Sequence, residues 1–156
     1  MSDFVIAIIP ARIDSSRFPA KMIADASGKP LIQHTWEVAS AAKCVSQVCI
    51  ATDSSEIAQI VRAFGGEVLM TGEHPNGTSR IAEAVRDIDC DVVVNLQGDE
   101  PELDPTVIDA TVAVLRDCSM ATAACPLEPD EIDNENVVKV MIGPENIAID
   151  FARLTD

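Results

Sequence analysis

The chain has 156 residues, 47% of them apolar, and a formal net charge of −15. Such a length and apolar content exclude a disordered chain and call for a folded domain with its own core. The charge argues against nonspecific binding to DNA, RNA or an anionic membrane, whose phosphates would repel it.

No apolar run in the sequence approaches the roughly 20 residues that span a bilayer. The N-terminus lacks a basic segment followed by a long apolar one, so no signal peptide is expected and the expected location is cytoplasmic. The five cysteines, Cys44, Cys49, Cys90, Cys118 and Cys125, form no C-x-x-C pair. Most have apolar neighbours and read as buried reduced thiols, not as a disulfide framework or a zinc site.

Taken in order, residues 4–9 are continuous in Val and Ile and read as a central strand covered on both faces. Residues 10–29 make a long connection, itself a sign of function. A helix then starts near Gly28, Lys29 and Pro30, with Ile32, Thr35, Trp36 and Ala39 as its apolar stripe. Residues 48–51 read as strand two. Asp53 and Glu56 stand at capping-box spacing before Ile57, Ile60, Val61 and Phe64, and Gly65 and Gly66 close that helix. Residues 68–70 form strand three and 71–77 a loop. Ile81, Ala84, Val85 and Ile88 mark a third helix, and residues 91–96 strand four. Asp104 and Pro105 open a fourth helix to about residue 117, with Val107, Thr111, Val114 and Leu115 inward. In the tail, residues 120–127, 137–142 and 147–151 read as three strands.

The strand–helix alternation predicts an α/β fold: a three-layer, Rossmann-like, mostly parallel doubly wound sheet in the order 3-2-1-4, with mixed strands at the C-terminal end. Residues 1–156 read as one nucleotide-binding domain. In that order strands one and four are neighbours whose connections leave on opposite sides, and a crevice opens beyond their carboxyl ends.

Two loops line that crevice. Residues 1–30 hold four of the eleven basic residues and three of the twenty-six acids, so Arg12, Arg17 and Lys21 stand out from an acidic background. Arginine offers paired donors and lysine a mobile point charge, the groups a triphosphate needs. The backbone at Pro10 and Ala11, after strand one, is expected to touch the same ligand. The second loop, Gln97-Gly98-Asp99-Glu100-Pro101, ends strand four with a carboxylate placed to ligate magnesium, and Gly98 lets the backbone come close. Asp104, beside Pro105, is the better helix cap, which leaves Asp99 free. A third stretch, residues 74–80, offers Asn76 and Thr78 as caps, or Gly77, Thr78 and Arg80 as an anion or base contact at a helix start. His74 has no partner at metal-ligand spacing, and His34 reads as structural. A solvated loop and plain capping roles remain open alternatives on the residues alone. G-x-G-x-x-G is absent after strand one, which speaks against a dinucleotide.

Several stretches together resemble one family: IIPARIDSSRFPAK (8–21), GKPLIQH (28–34), ATDSSEIA (51–58), GGEVLMT (65–71), HPNGTSRIAE (74–83), VVVNLQGDEP (92–101) and VVKVMI (137–142). They are similar to the cytidylyltransferases that activate acidic sugars, above all those acting on 3-deoxy-manno-octulosonate (Kdo), and more distantly those acting on N-acylneuraminate. The resemblance implies transfer of CMP from CTP to Kdo with release of pyrophosphate, a step of lipopolysaccharide assembly. It implies Arg12, Arg17 and Lys21 on the CTP phosphates, Asp99 on Mg2+, and Gln97, Thr78 and Arg80 near base and sugar. Arg12, Lys21 and Asp99 would be the catalytic group, and the full-length form a homodimer. There are departures. The family's Pro-Gly-Lys-Pro is here Pro19-Ala20-Lys21-Met22, a less flexible loop, and its Ser-Gly-Thr-(Glu/Asp)-Arg is Asn76-Gly77-Thr78-Ser79-Arg80, one carboxylate fewer. Family members also continue beyond the point matching Asp156, into a region that supplies sugar contacts, a second magnesium ligand and much of the dimer interface. Two other expectations therefore stand beside the first: a noncatalytic CTP-binding domain, and a transferase for another sugar acid.

Overall fold

A computed structural model describes residues 3–13, 20–25, 27–116 and 118–153. The chain divides into two compact units, Met1–Ala121 and Thr122–Asp156.

The first unit holds a four-stranded parallel sheet in the order β3-β2-β1-β4. Its strands are β1 (Val5–Ala11), β2 (Gln47–Thr52), β3 (Glu67–Met70) and β4 (Val92–Asn95). The helices are α1 (Leu31–Ala41), α2 (Ser55–Ala63), α3 (Gly77–Ala84) and α4 (Pro105–Ala113). The two-residue period of a strand sorts β1 into two faces. Ala7, Ile9 and Ala11 join a core cluster with Ile32 and Ala39 of α1, Ile57 and Val61 of α2, and Ile108 of α4. Ile6 and Ile8 face the other way, into a cluster with Ile81 of α3. Three layers result, with β1 fully enclosed, and each buried isoleucine contributes about 1.5–3 kcal/mol. The chain winds from β1 through α1 to one side, and reaches β4 on the other side of β1 through α3. The predicted sheet order and switch point are therefore those observed.

Several local expectations need correction. β1 runs on through Pro10 to Ala11, which pair in register with Ala51 and Thr52, so these two residues are strand and not turn. β4 pairs with β1 only as far as Ile8. Beyond that point β1 has an open edge, where a proline without an amide hydrogen is tolerated. Ser54, not Asp53, caps α2, its Oγ accepting from the Ile57 amide at 3.3 Å; Asp53 is taken by Arg80. In α4 and the turn after it the buried residue is Ile108; Val107, Thr111 and Leu115 are half-buried, whereas Val114 is exposed. α4 gives way to a 3-10 turn at Val114–Arg116.

The second unit contains an antiparallel hairpin of β5 (Lys139–Ile142) and β6 (Ala148–Ala152). Lys139 is buried within it and donates to the carbonyls of Asn134 at 2.6 Å and Arg153 at 2.5 Å. The strand expected at residues 120–127 is absent. These residues have the right apolar content, but among the described residues no neighbour pairs with them, and Met120 lies 86% exposed. A strand without a partner leaves its backbone groups to water, and Pro126 removes one amide. No helix among the described residues is long and apolar enough to cross a membrane.

Candidate active site

Three loops converge at the carboxyl ends of β1 and β4. After Ala11 the chain passes through exposed Arg12. It returns where the Ala20 amide donates to the Ile13 carbonyl at 3.0 Å. Arg17 lies outside the described residues. Lys21 begins a 3-10 turn, Lys21–Ile23, whose Met22 and Ile23 pack on the core below. From β4, residues 97–100 form a tight turn in which the Glu100 amide donates to the Gln97 carbonyl at 3.3 Å.

The Lys21 ammonium meets the Asp99 carboxylate at 2.8 Å, with about 39% and 40% of the two side chains exposed. An exposed pair of this kind adds under about 1 kcal/mol to stability. Its significance is positional: a cation from the first loop and an acid from the second, 78 residues apart, share one place. Asp104 does cap α4, accepting from the Thr106 amide at 2.8 Å, so Asp99 is spared that role.

The third loop joins through Gly77, the first residue of α3. A Cβ there would lie 3.0 Å from Cγ of Pro10, so a larger residue would need the proline ring to give by a few tenths of an ångström for α3 to begin against the end of β1. Asn76 caps α3, accepting from the Ser79 amide at 2.9 Å. Thr78 and Gln97 are exposed on the rim. Arg80 is placed differently. It is 3% exposed, and its terminal nitrogens donate to Asp53 at 2.7 Å, Thr71 Oγ1 at 2.6 Å and the Gly72 carbonyl at 3.3 Å. Its guanidinium braces the loop from β3 to α3 against the end of β2. His74 and Glu83 form a second brace, and the Glu83 carboxylate also accepts from the Gly72 amide at 3.1 Å. These bonds, the His74 contact first, hold the Glu83 carboxyl below its ordinary range. Neither brace was legible as such: both depend on which side chains the sheet brings together, and no short-range spacing signals that.

His34 contacts Ser27 at 2.7 Å, and Lys29 pairs with Glu37 at 2.7 Å, so both serve the start of α1. All five cysteines are free. Cys49 is buried and its thiol is pushed up to about 12, first by burial and then by Glu67; Cys44 goes to about 11 by burial and Asp109. Both are inert thiols at neutral pH. Cys118 and Cys125 are exposed, contrary to the expectation of mostly buried thiols.

Among the described residues no group of three or more His, Cys, Asp or Glu side chains could hold a metal on its own. The Asp99 carboxylate still fits a hydrated Mg2+, which takes one or two carboxylates and completes its shell with water and phosphate oxygens. A cationic ammonium already sits on this carboxylate.

Known proteins resemble this chain over nearly all of its length. A 3-deoxy-manno-octulosonate cytidylyltransferase from Chlorobium limicola is 48% identical over 95% of this chain and 63% of its own length. One from Syntrophobacter fumaroxidans is 45% identical over 96% of this chain and 63% of its own. The solved structure of a CMP:2-keto-3-deoxy-manno-octonic acid synthetase complexed with CTP superimposes with a TM-score of 0.86 at 35% identity, covering 97% of this chain and 64% of that one. The chain thus spans just under two thirds of the length of the relatives it matches. Residues 6–155 match the cytidylyltransferase family model, and the chain belongs to the cytidylyltransferase family.

Proposed function

We propose that this chain is the CTP-binding part of an enzyme that transfers CMP from CTP to Kdo. In that reaction an anomeric hydroxyl oxygen of the sugar acid attacks the α-phosphorus. The bond from that phosphorus to the bridging oxygen breaks, pyrophosphate departs and the hydroxyl proton passes to solvent. The reading is carried by the meeting of Lys21 and Asp99 at the switch point, and is supported by the relatives' names and by the CTP in the related structure.

The nucleotide phosphates would draw the Lys21 ammonium off Asp99 and onto themselves. Arg12, exposed and without an ion pair among the described residues, would neutralise a second phosphate. Pro10, beside the start of α3, and Ala11 would lend their backbone, and exposed Thr78 and Gln97 would meet base and ribose. Arg17 would add a third cation, as the family resemblance suggests. Arg80 would act indirectly, by fixing the loop that carries Thr78. Asp99 would hold Mg2+, which, when bound, offsets phosphate charge. The protein's share of the catalysis is positioning and electrostatics, with no covalent intermediate. A cytoplasmic setting, a place in lipopolysaccharide assembly and a homodimer of the full-length form belong to the same proposal.

Pyrophosphate release from CTP with Kdo tests it. Lys21→Ala and Asp99→Ala should each lower the rate by about 100-fold or more; wild-type rates in both would refute the assignment. N-acylneuraminate in place of Kdo, at equal or greater rate, would move the substrate to another sugar acid. A second reading, CTP binding without turnover, is favoured by the exposure of Met141, Ile142, Ile149 and Phe151 on the hairpin. Apolar surface of that kind is usually covered by further protein. Calorimetric CTP binding with no pyrophosphate from the wild type would select it.

A further inference from the structure

We propose that Thr35 is a positioning residue: its buried hydroxyl holds the Gly98 turn so that the Asp99 carboxylate stands against Lys21. Thr35 lies in the middle of α1 and is fully buried. A hydroxyl inside a helix ordinarily bonds back to the carbonyl four residues earlier. Ser40 does so to Trp36 at 2.8 Å, and Thr111 to Val107 at 2.7 Å. Thr35 instead donates across the layer to the Gly98 carbonyl at 2.9 Å, 63 residues away.

The same turn is confined by side chains. A Cβ at Gly98 would lie 2.9 Å from Sδ of Met22 and 3.3 Å from Cγ2 of Ile9. Met22 follows Lys21 directly, and Gly98 precedes Asp99. The residues that pack and those that pair are thus immediate neighbours along both segments. The exposed Lys21–Asp99 pair is too weak to order the two loops by itself. A buried carbonyl, by contrast, carries a desolvation penalty if its donor is lost, and the turn must then move to find another. Thr35 therefore sets the separation of the two charged groups without touching the ligand. Its consequence for catalysis rests on the function proposed above; its geometric claim does not.

Carbodiimide coupling tests the geometry on the intact chain. The reagent activates the Asp99 carboxyl, the Lys21 amine displaces the activating group as a urea, and a Cγ–Nζ amide forms with net loss of water from the protein. Peptide mass spectrometry reads the yield. Thr35→Val and Thr35→Ala, which lack the hydroxyl, should lower it about fivefold, whereas Thr35→Ser should stay within about twofold of wild type. An unchanged yield in both hydroxyl-free variants overturns the proposal. So does loss of cooperative melting in both, because the hydroxyl is then a requirement of folding. In the pyrophosphate assay the turnover of Thr35→Val should fall about tenfold with KM for CTP little changed, and Thr35→Ser should restore it. If the coupling follows this pattern while even the wild type releases no pyrophosphate, the positioning role stands and the enzyme reading falls.

Discussion

Ala20 has φ +55° and ψ +26°, the left-handed region, immediately before the lysine of the site. The family pattern that the sequence resembles has glycine at the matching place; glycine occupies that region freely, whereas a Cβ costs about 1–2 kcal/mol there. The departure read from the sequence as reduced flexibility is thus also a strained residue. Ala20→Gly removes the strain but loosens the unfolded chain, which offsets about half the gain. We expect chemical denaturation to show a net stabilisation of about 0.5–1 kcal/mol; a variant less stable than wild type would show that the turn is relaxed as it stands. Arg80 teaches a second lesson about single side chains. Its sequence position reads as a ligand contact, and its described bonds go to Asp53, Thr71 and Gly72. A charged residue at a helix start can serve a ligand or the protein, and only the surrounding acids decide between the two.

The connection from β3 to α3 is held by charged side chains on two sides. Arg80 braces it from one side and Glu83, through His74 and the Gly72 amide, from the other. Because the Glu83 carboxyl titrates below its ordinary value in the folded state, its contribution is complete above the ordinary carboxylate range, about pH 4.3, and is lost as pH falls through the lowered value. Thermal midpoints should therefore drop between roughly pH 5 and pH 3, and Glu83→Gln should flatten part of that drop while melting lower than wild type at neutral pH. Asp104, Asp109 and Glu37 are lowered likewise, by the Thr106 amide, the Cys44 amide and Lys29 respectively, so the variant should not flatten the curve entirely. A Glu83→Gln curve parallel to wild type would show that this brace adds nothing. α3 ends at Ala84 and α4 at Ala113, short of the expected Ile88 and residue 117, but most other elements were placed from sequence to within a residue or two. Residues 120–127 were not, because apolar content reports that a segment wants burial and is silent on whether a neighbouring strand exists to pair with it.

Arg12 and Lys21 follow the first strand in a chain whose remaining sequence is strongly acidic, a distribution visible in the sequence because charge clusters survive without knowledge of the fold. The sheet order was legible for a related reason: alternating strands and helices leave few ways to wind, and the switch point follows from the order. What sequence could not show were contacts between distant segments, among them Thr35 with Gly98, Asp53 with Arg80, and Pro10 with Gly77. In the function proposed, Lys21 and Asp99 serve one nucleotide. Calorimetric titration of CTP, with and without Mg2+, measures this most directly, because it requires no turnover. Lys21→Ala should weaken CTP about tenfold or more, and Asp99→Ala should remove the gain in affinity that Mg2+ brings to the wild type. Unaltered CTP affinity in Lys21→Ala, together with an undiminished Mg2+ effect in Asp99→Ala, would contradict it.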